Sequence, residues 1–402
     1  MRNGFLSVLV VLSLSQGSHL AGQISSPTIQ PERNGGAARD GGTARDGGAA
    51  RVGGDARNGG DAQKADQLSR PQAVFGGNAK AGQGGNGQAE SIPTTNIAEM
   101  RRAAEAGDRL AENNLGAAYA FGSGVERSNE EAAKWIGLAA GAGFAPAQSN
   151  LGYLYEKGLG VAQDYAAALG QYRAAAESGN AQAQTRIGLF YENGWVVALD
   201  QGEAVRWYRL AAEQGDAEGQ RKLGNCFYAG RGIQRDYAEA AKWFRKAAEQ
   251  GDAAAENNLG ALFHHGLGMK QDYAEAFRWY QLAADQGLPG AANDLGVLYE
   301  DGTGVEKDYG QAARWYRAAA EKRVARGEFD LAKLYYAGKG VPLDYVTAYV
   351  WYSRALADGE PLAALGLKEM ASIMTPRQKQ MALDLLAGDQ GLSRETVAMG
   401  VK

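Results

Sequence analysis

The chain has 402 residues, 45% of them hydrophobic, with 42 basic against 46 acidic side chains, a net charge of −4. That length leaves room for two or three globular domains, and so mild a charge points to no particular ligand. The single cysteine, Cys226, excludes an internal disulfide framework.

Met1-Arg2-Asn3 precedes an apolar run from Phe5 to Ser15, followed by small and polar residues to Gly22. Residues 1–22 therefore read as a signal peptide with its cleavage point open between Gly17 and Ala21. The run is shorter than the roughly 20 residues that span a bilayer, so export is preferred to a retained anchor. No cysteine follows it to accept a lipid. The expected product is exported, periplasmic or secreted from a bacterium, and meets a membrane only through an envelope partner.

Residues 23–93 carry consecutive hexads from Gly35 to Lys64, GGAARD, GGTARD, GGAARV, GGDARN and GGDAQK. With almost no apolar side chain larger than Ala, this stretch reads as a disordered linker that cannot offset the entropy of ordering. Its arginines and aspartates nearly balance, and aromatics are not enriched beside them, which disfavours nucleic-acid binding.

From residue 94 to 360 the chain repeats itself. Leu115-Gly116, Leu151-Gly152, Ile187-Gly188, Leu223-Gly224, Leu259-Gly260, Leu295-Gly296 and the weaker Leu331-Ala332 recur every 36 residues. Such an interval marks supersecondary units that stack to bury their apolar faces. In the unit beginning near Ala145, an amphipathic first helix carries Ala147, Leu151, Leu154 and Tyr155 and closes at Gly158. Asp164 is placed to cap a second helix that runs to Gly179. Tyr119, Tyr155, Tyr191, Phe227, Phe263, Tyr299 and Tyr335 form one aromatic column, and Trp135, Trp207, Trp243, Trp279, Trp315 and Trp351 another, with Gln171 interrupting it. Both read as packing. A mid-helix glycine costs about 1 kcal/mol against Ala, so its recurrence signals close approach of helices. A helix from Asn96 to Ala106, with Asn96 and Glu99 placed as a capping box, is expected to cover the front of the stack. Residues 361–390 supply C-terminal capping helices, one starting at Thr375-Pro376 and ending near Ala387, and 391–402 form a flexible tail.

These units resemble the Sel-one-like repeat family, relatives of the tetratricopeptide repeats, whose pattern reads LGxxYxxGxGVxxDxxxAxxWYxxAAxxG. LGNCFYAGRGIQRDYAEAAKWFRKAAEQG from Leu223 and LGVLYEDGTGVEKDYGQAARWYRAAAEKR from Leu295 fit at nearly every column. The resemblance implies an all-α, right-handed α/α superhelix of seven 36-residue helix-turn-helix repeats that binds other proteins. Val196 in place of the second loop glycine of repeat three, Ser128-Asn129 in place of a cap pair, and Arg323 in place of the last glycine of repeat six predict local deviations.

The chemistry-bearing residues are few. His264 and His265 are adjacent, so on a helix they point about 100° apart and cannot share a metal as an i, i+4 pair does; they read as exposed. Cys226 stands in a column of Leu, Phe and Ala and reads as buried packing. The Gly-x-Gly loops follow helices and lack a third glycine, unlike a dinucleotide cradle. No enzyme, metal site or cofactor is expected. A hydrolase acting on the cell wall, the alternative reading, would have to use Glu156, Glu192 or Glu300, which have no evident partner base.

What remains is a surface. The column before the Leu-Gly pair holds Asn114, Asn150, Arg186, Lys222, Asn258 and Asp294, and its neighbour includes Arg221, Asn257 and Asn293. On one helix both columns project away from the apolar stripe. Their asparagines suit the backbone of an extended peptide, and Arg186, Arg221 and Lys222 suit a carboxylate. The expected activity is a non-catalytic scaffold or regulator of the cell envelope, binding a protein or peptide on the concave face.

Overall fold

The computed structural model describes residues 97–388. The expected signal peptide, linker, Asn96 cap and tail beyond 391 lie outside the described residues. Those described form seventeen α-helices and no strand. After α1 (Ile97–Glu105) come seven pairs: α2/α3 (Arg109–Phe121, Asn129–Gly141), α4/α5 (Ala145–Lys157, Tyr165–Glu177), α6/α7 (Ala181–Asn193, Gln201–Glu213), α8/α9 (Ala217–Ala229, Tyr237–Ala248), α10/α11 (Ala253–His265, Tyr273–Asp285), α12/α13 (Pro289–Asp301, Tyr309–Ala320) and α14/α15 (Ala325–Ala337, Tyr345–Ala357). Two closing helices follow, α16 (Ala363–Ile373) and α17 (Pro376–Ala387). From α1 to α16 each helix packs on its neighbours in the chain, α17 returns to pack on α15, and the result is an all-α repeat solenoid.

Local rules set the boundaries. Each first helix ends on a glycine in the left-handed conformation, such as Gly158 at φ 68°, whose amide turns back to the carbonyl of Leu154. The loop closes when the next cap residue donates its amide to the aromatic column, as Asp164 does to the carbonyl of Tyr155 at 3.0 Å. The Asp164 carboxylate then accepts from the amides of Ala166 and Ala167. Such a cap contributes about 1 kcal/mol. Thr375 caps α17 with a full capping box through Gln378.

Val196 and Arg323 do not deform their loops. They are forced into the glycine conformation, at φ 50° and 60°. Around Val196 the loop is propped by Trp195, whose ring lies 5.5 Å from those of both Tyr165 and Phe190.

The recurring helical glycine sits where a second-helix ring crosses its own first helix. A Cβ at Gly152, Gly188, Gly260 or Gly296 would lie 2.5–2.8 Å from Tyr172, Tyr208, Tyr280 or Tyr316. Phe244 and Ile136 occupy the same place against Gly224 and Gly116. In repeat seven Ala332 replaces the glycine, and the ring of Tyr352 lies against Gly366 of α16. The tryptophans border the stack. Trp135 and Trp279 are buried and the other four are half-buried, with cations over several rings, Lys246 being 4.0 Å from the centre of Trp243.

Candidate functional site

The two columns expected to face away from the core are largely buried. Asn150, Lys222, Asn258 and Asp294 are 2–6% exposed, and Arg221, Asn257 and Asn293 are 0–9% exposed; Asn114 and Arg186 are half-buried. A lone hairpin would leave these positions in water, but in the stack the next first helix covers them.

Their partners therefore come from the chain itself. Asn150 donates to Asn113 at 2.8 Å and Asn258 to Asn225 at 3.1 Å. Arg186 pairs with Glu218 at 3.3 Å, Lys222 with Glu192 at 3.3 Å, and Arg221 with Asp252 at 2.9 Å. The three cations expected to await a ligand carboxylate already hold one each. Burial pushes the Glu218 carboxyl up, but Arg186, Arg221 and Lys222 together hold it below its ordinary range.

A rule with a spacing of 31 residues links neighbouring repeats. In two repeats the residue two before the Leu-Gly pair, or its Ile187-Gly188 counterpart, bonds to the cap of the next first helix: Thr185 to Asp216 at 2.7 Å and Arg221 to Asp252. Where the next cap is Leu288, which forms no side-chain cap bond, the amide of Asn257 is buried without a hydrogen-bond partner. Asp294, on the same face, has its carboxyl pushed up to about 8 by burial.

Glu156, Glu192 and Glu300 are tied into the packing. Each accepts from the hydroxyl of the tyrosine 16 residues later, Tyr172, Tyr208 or Tyr316, at 2.5–2.8 Å. Two of the repeats with no glutamate in that column also lack the tyrosine, Ala120 standing with Ile136 and Tyr228 with Phe244, but His264 and Tyr336 stand with Tyr280 and Tyr352, so the spacing gave only a partial signal of the pairing. Burial raises these tyrosines far above their ordinary value and the neighbouring carboxylates add to it.

Cys226 is buried, and burial pushes its thiol up to about 12, which leaves it protonated and unreactive. The histidines correct the expectation of exposure. Both are half-buried and their rings stack at 4.6 Å with only 6° between planes; burial, and then His265, lower His264 to about 4. Among the described residues no group of three or more His, Cys, Asp or Glu is placed to hold a metal.

The model of the Sel1 repeat matches seven consecutive segments, 109–144, 145–180, 181–216, 217–252, 253–288, 289–323 and 325–360. The chain belongs to the Sel1 repeat family. Its array is similar to the protective antigen c5321 of uropathogenic Escherichia coli strains, described as displaying an SLR fold, at 30% identity over 76% of this chain and 74% of that one, with a TM-score of 0.53. A Sel1 repeat protein from Oxalobacter formigenes is 34% identical over 68% of this chain and 79% of that one, also with a TM-score of 0.53. A comparison with curated proteins finds no match. Sel1 repeat proteins generally mediate protein–protein interactions.

Proposed function

We propose that this Sel1 array is a non-catalytic scaffold, exported to the bacterial cell envelope or beyond it, that holds a protein or peptide partner on the concave side lined by its first helices. The observation that carries this reading is the first-helix face itself. It runs through all seven repeats with many of its polar groups already joined to one another, which makes a pre-formed surface that loses little entropy on binding. The buried pairs set its shape, and the partly exposed residues around them, Tyr153, Lys157, Glu218, Arg231 and Lys333, supply mixed charge for recognition. The N-terminal segment is the reason for placing the protein outside the cytoplasm.

A photoreactive residue placed at Tyr153 or Lys333 tests the face directly in the producing cell, with Arg206, 76% exposed on the second-helix side, as the control. The reading expects one discrete partner cross-linked from both first-helix positions and not from Arg206. Cross-links from Arg206 alone would overturn it. N-terminal sequencing of the mature protein tests export: a start between residues 18 and 22 supports it and an intact Met1 contradicts it.

A further inference from the structure

A second slot recurs within single repeats, joining the fourth residue of a first helix to a residue at the end of its paired second helix, 30 positions on. Gln214 donates to Gln184 at 2.7 Å, Gln250 to Gln220 at 2.8 Å and Gln286 to Glu256 at 2.8 Å. In each pair at least one partner brings an N–H. Repeat seven places two carboxyl groups in that slot, Glu328 and Asp358.

Two carboxylates cannot hydrogen-bond to each other. Glu328 is 1% exposed, and its Oε2 and Asp358 Oδ2 are both buried with no donor. A proton between them satisfies both atoms, with Glu328 donating to Asp358. The surroundings fit one shared negative charge. Arg323 pairs with Asp358 at 2.5 Å from a left-handed backbone that the equivalent residues Gly143, Gly179, Gly215, Gly251 and Gly287 adopt freely. Arg354 of α15, 4.8 Å from the centre of the Trp351 ring, lines the same cleft of about 300 Å³ together with Glu321 at the end of α13. On α14 itself Arg326 is engaged elsewhere, with Asp330 and Glu360.

We propose that Glu328 and Asp358 share one proton and act as a pH-sensitive clasp that fixes the last repeat, α14 and α15, and that alkaline solution opens it. Burial and the facing Asp358 raise Glu328 to about 8, against the lowering influence of Arg323 and Arg354. The acid form is thus the folded form. The clasp is closed at neutral pH and below, and is lost as pH rises through about 8, when two negative charges face each other in a site that excludes water. Because stability in a solenoid passes between neighbours, α16 and α17, which pack on α15, loosen with it.

Hydrogen exchange of the full-length protein, with rates normalised to the intrinsic exchange at each pH, tests the clasp. From pH 6.5 to pH 9, protection across 325–387 should fall by about tenfold or more, since up to about pH 8 the opened state is ionised while the closed one keeps its proton, and each such pH unit is about a factor of ten. Glu328→Gln restores the amide slot used by repeats three and four, so its protection in 325–387 should stay level over the same range. Asp358→Asn, which supplies a donor from the other side, should do the same. Equal loss in wild type and both variants, or undiminished wild-type protection at pH 9, would overturn the proposal. Should one variant fail to fold, the other decides.

Discussion

Gly296 and Gly170 are both interior helical glycines, and the structure assigns opposite signs to the same substitution at the two. A Cβ at Gly296 lies 2.5 Å from both Cδ1 and Cε1 of Tyr316, about 1 Å inside normal carbon contact. Tyr316 has no room to retreat, being 1% exposed and tethered by its hydroxyl to Glu300 at 2.7 Å. Overpacking of this kind costs about 1–3 kcal/mol, and a strained hydrogen bond to a charged group costs about 1–2 more. The helical preference for Ala returns about 1 kcal/mol. Gly296→Ala should therefore destabilise by about 1–4 kcal/mol. Gly170 is exposed in the middle of α5 with nothing within 4 Å of its would-be Cβ, so Gly170→Ala should stabilise by about 1 kcal/mol, the propensity alone. Urea unfolding of both full-length variants, followed by circular dichroism, reads the midpoints. Two shifts of the same sign, or a neutral Gly296→Ala, would refute the claim that ring-on-backbone contact explains the glycine column.

Leu288→Asp should stabilise by about 1–2 kcal/mol in the same assay, because it supplies a cap for α12 and a partner for the stranded amide of Asn257; a loss of stability would break the 31-residue rule. Val196, 57% exposed at φ 50°, holds a conformation that costs a branched side chain about 1–2 kcal/mol, so Val196→Gly should raise the thermal midpoint and no rise would count against the strain. Asp294, raised from 3.8 to about 8 by burial, stabilises fully below its unfolded value, and that contribution is lost as pH rises through about 8, with a slope of at most about 1.4 kcal/mol per unit. Asp294→Asn, which copies Asn150 and Asn258 in the same column, should flatten that part of the stability profile, and an unchanged slope would assign it to other groups. Arg221→Ala strips Asp252 of its cation and should cost about 2–3 kcal/mol; an unchanged unfolding midpoint would show the pair to be inert.

The repeat frame was legible in the sequence because its signals are local. Gly158 and Asp164, or Thr375 and Pro376, act within one turn of the residues they cap, and a 36-residue spacing brings the same packing question back. The inner face was not legible in the same way. Asn150, Arg221 and Asn257 look solvated on a single helical wheel, and only the covering repeat, some 30 residues on, buries them. Signals for that covering existed in Thr185 with Asp216 and Arg221 with Asp252, pairs whose meaning depends on knowing which helix lies across which. Val196 and Arg323 misled for the opposite reason: stacking imposed the glycine conformation on residues that resist it.

Interchangeable units held only by their neighbours make one demand that separate globules would not meet. Deleting residues 217–252, one complete unit, joins Asp216 directly to Ala253, so that Asp216 now caps α10 and still receives Thr185. Small-angle scattering and circular dichroism of that shortened protein, beside a deletion of 217–234 alone, measure the claim. The expected result is a folded, shorter and equally helical monomer from the full-unit deletion and an unfolded or aggregated product from the half-unit deletion; the reverse, or collapse of both, would contradict it.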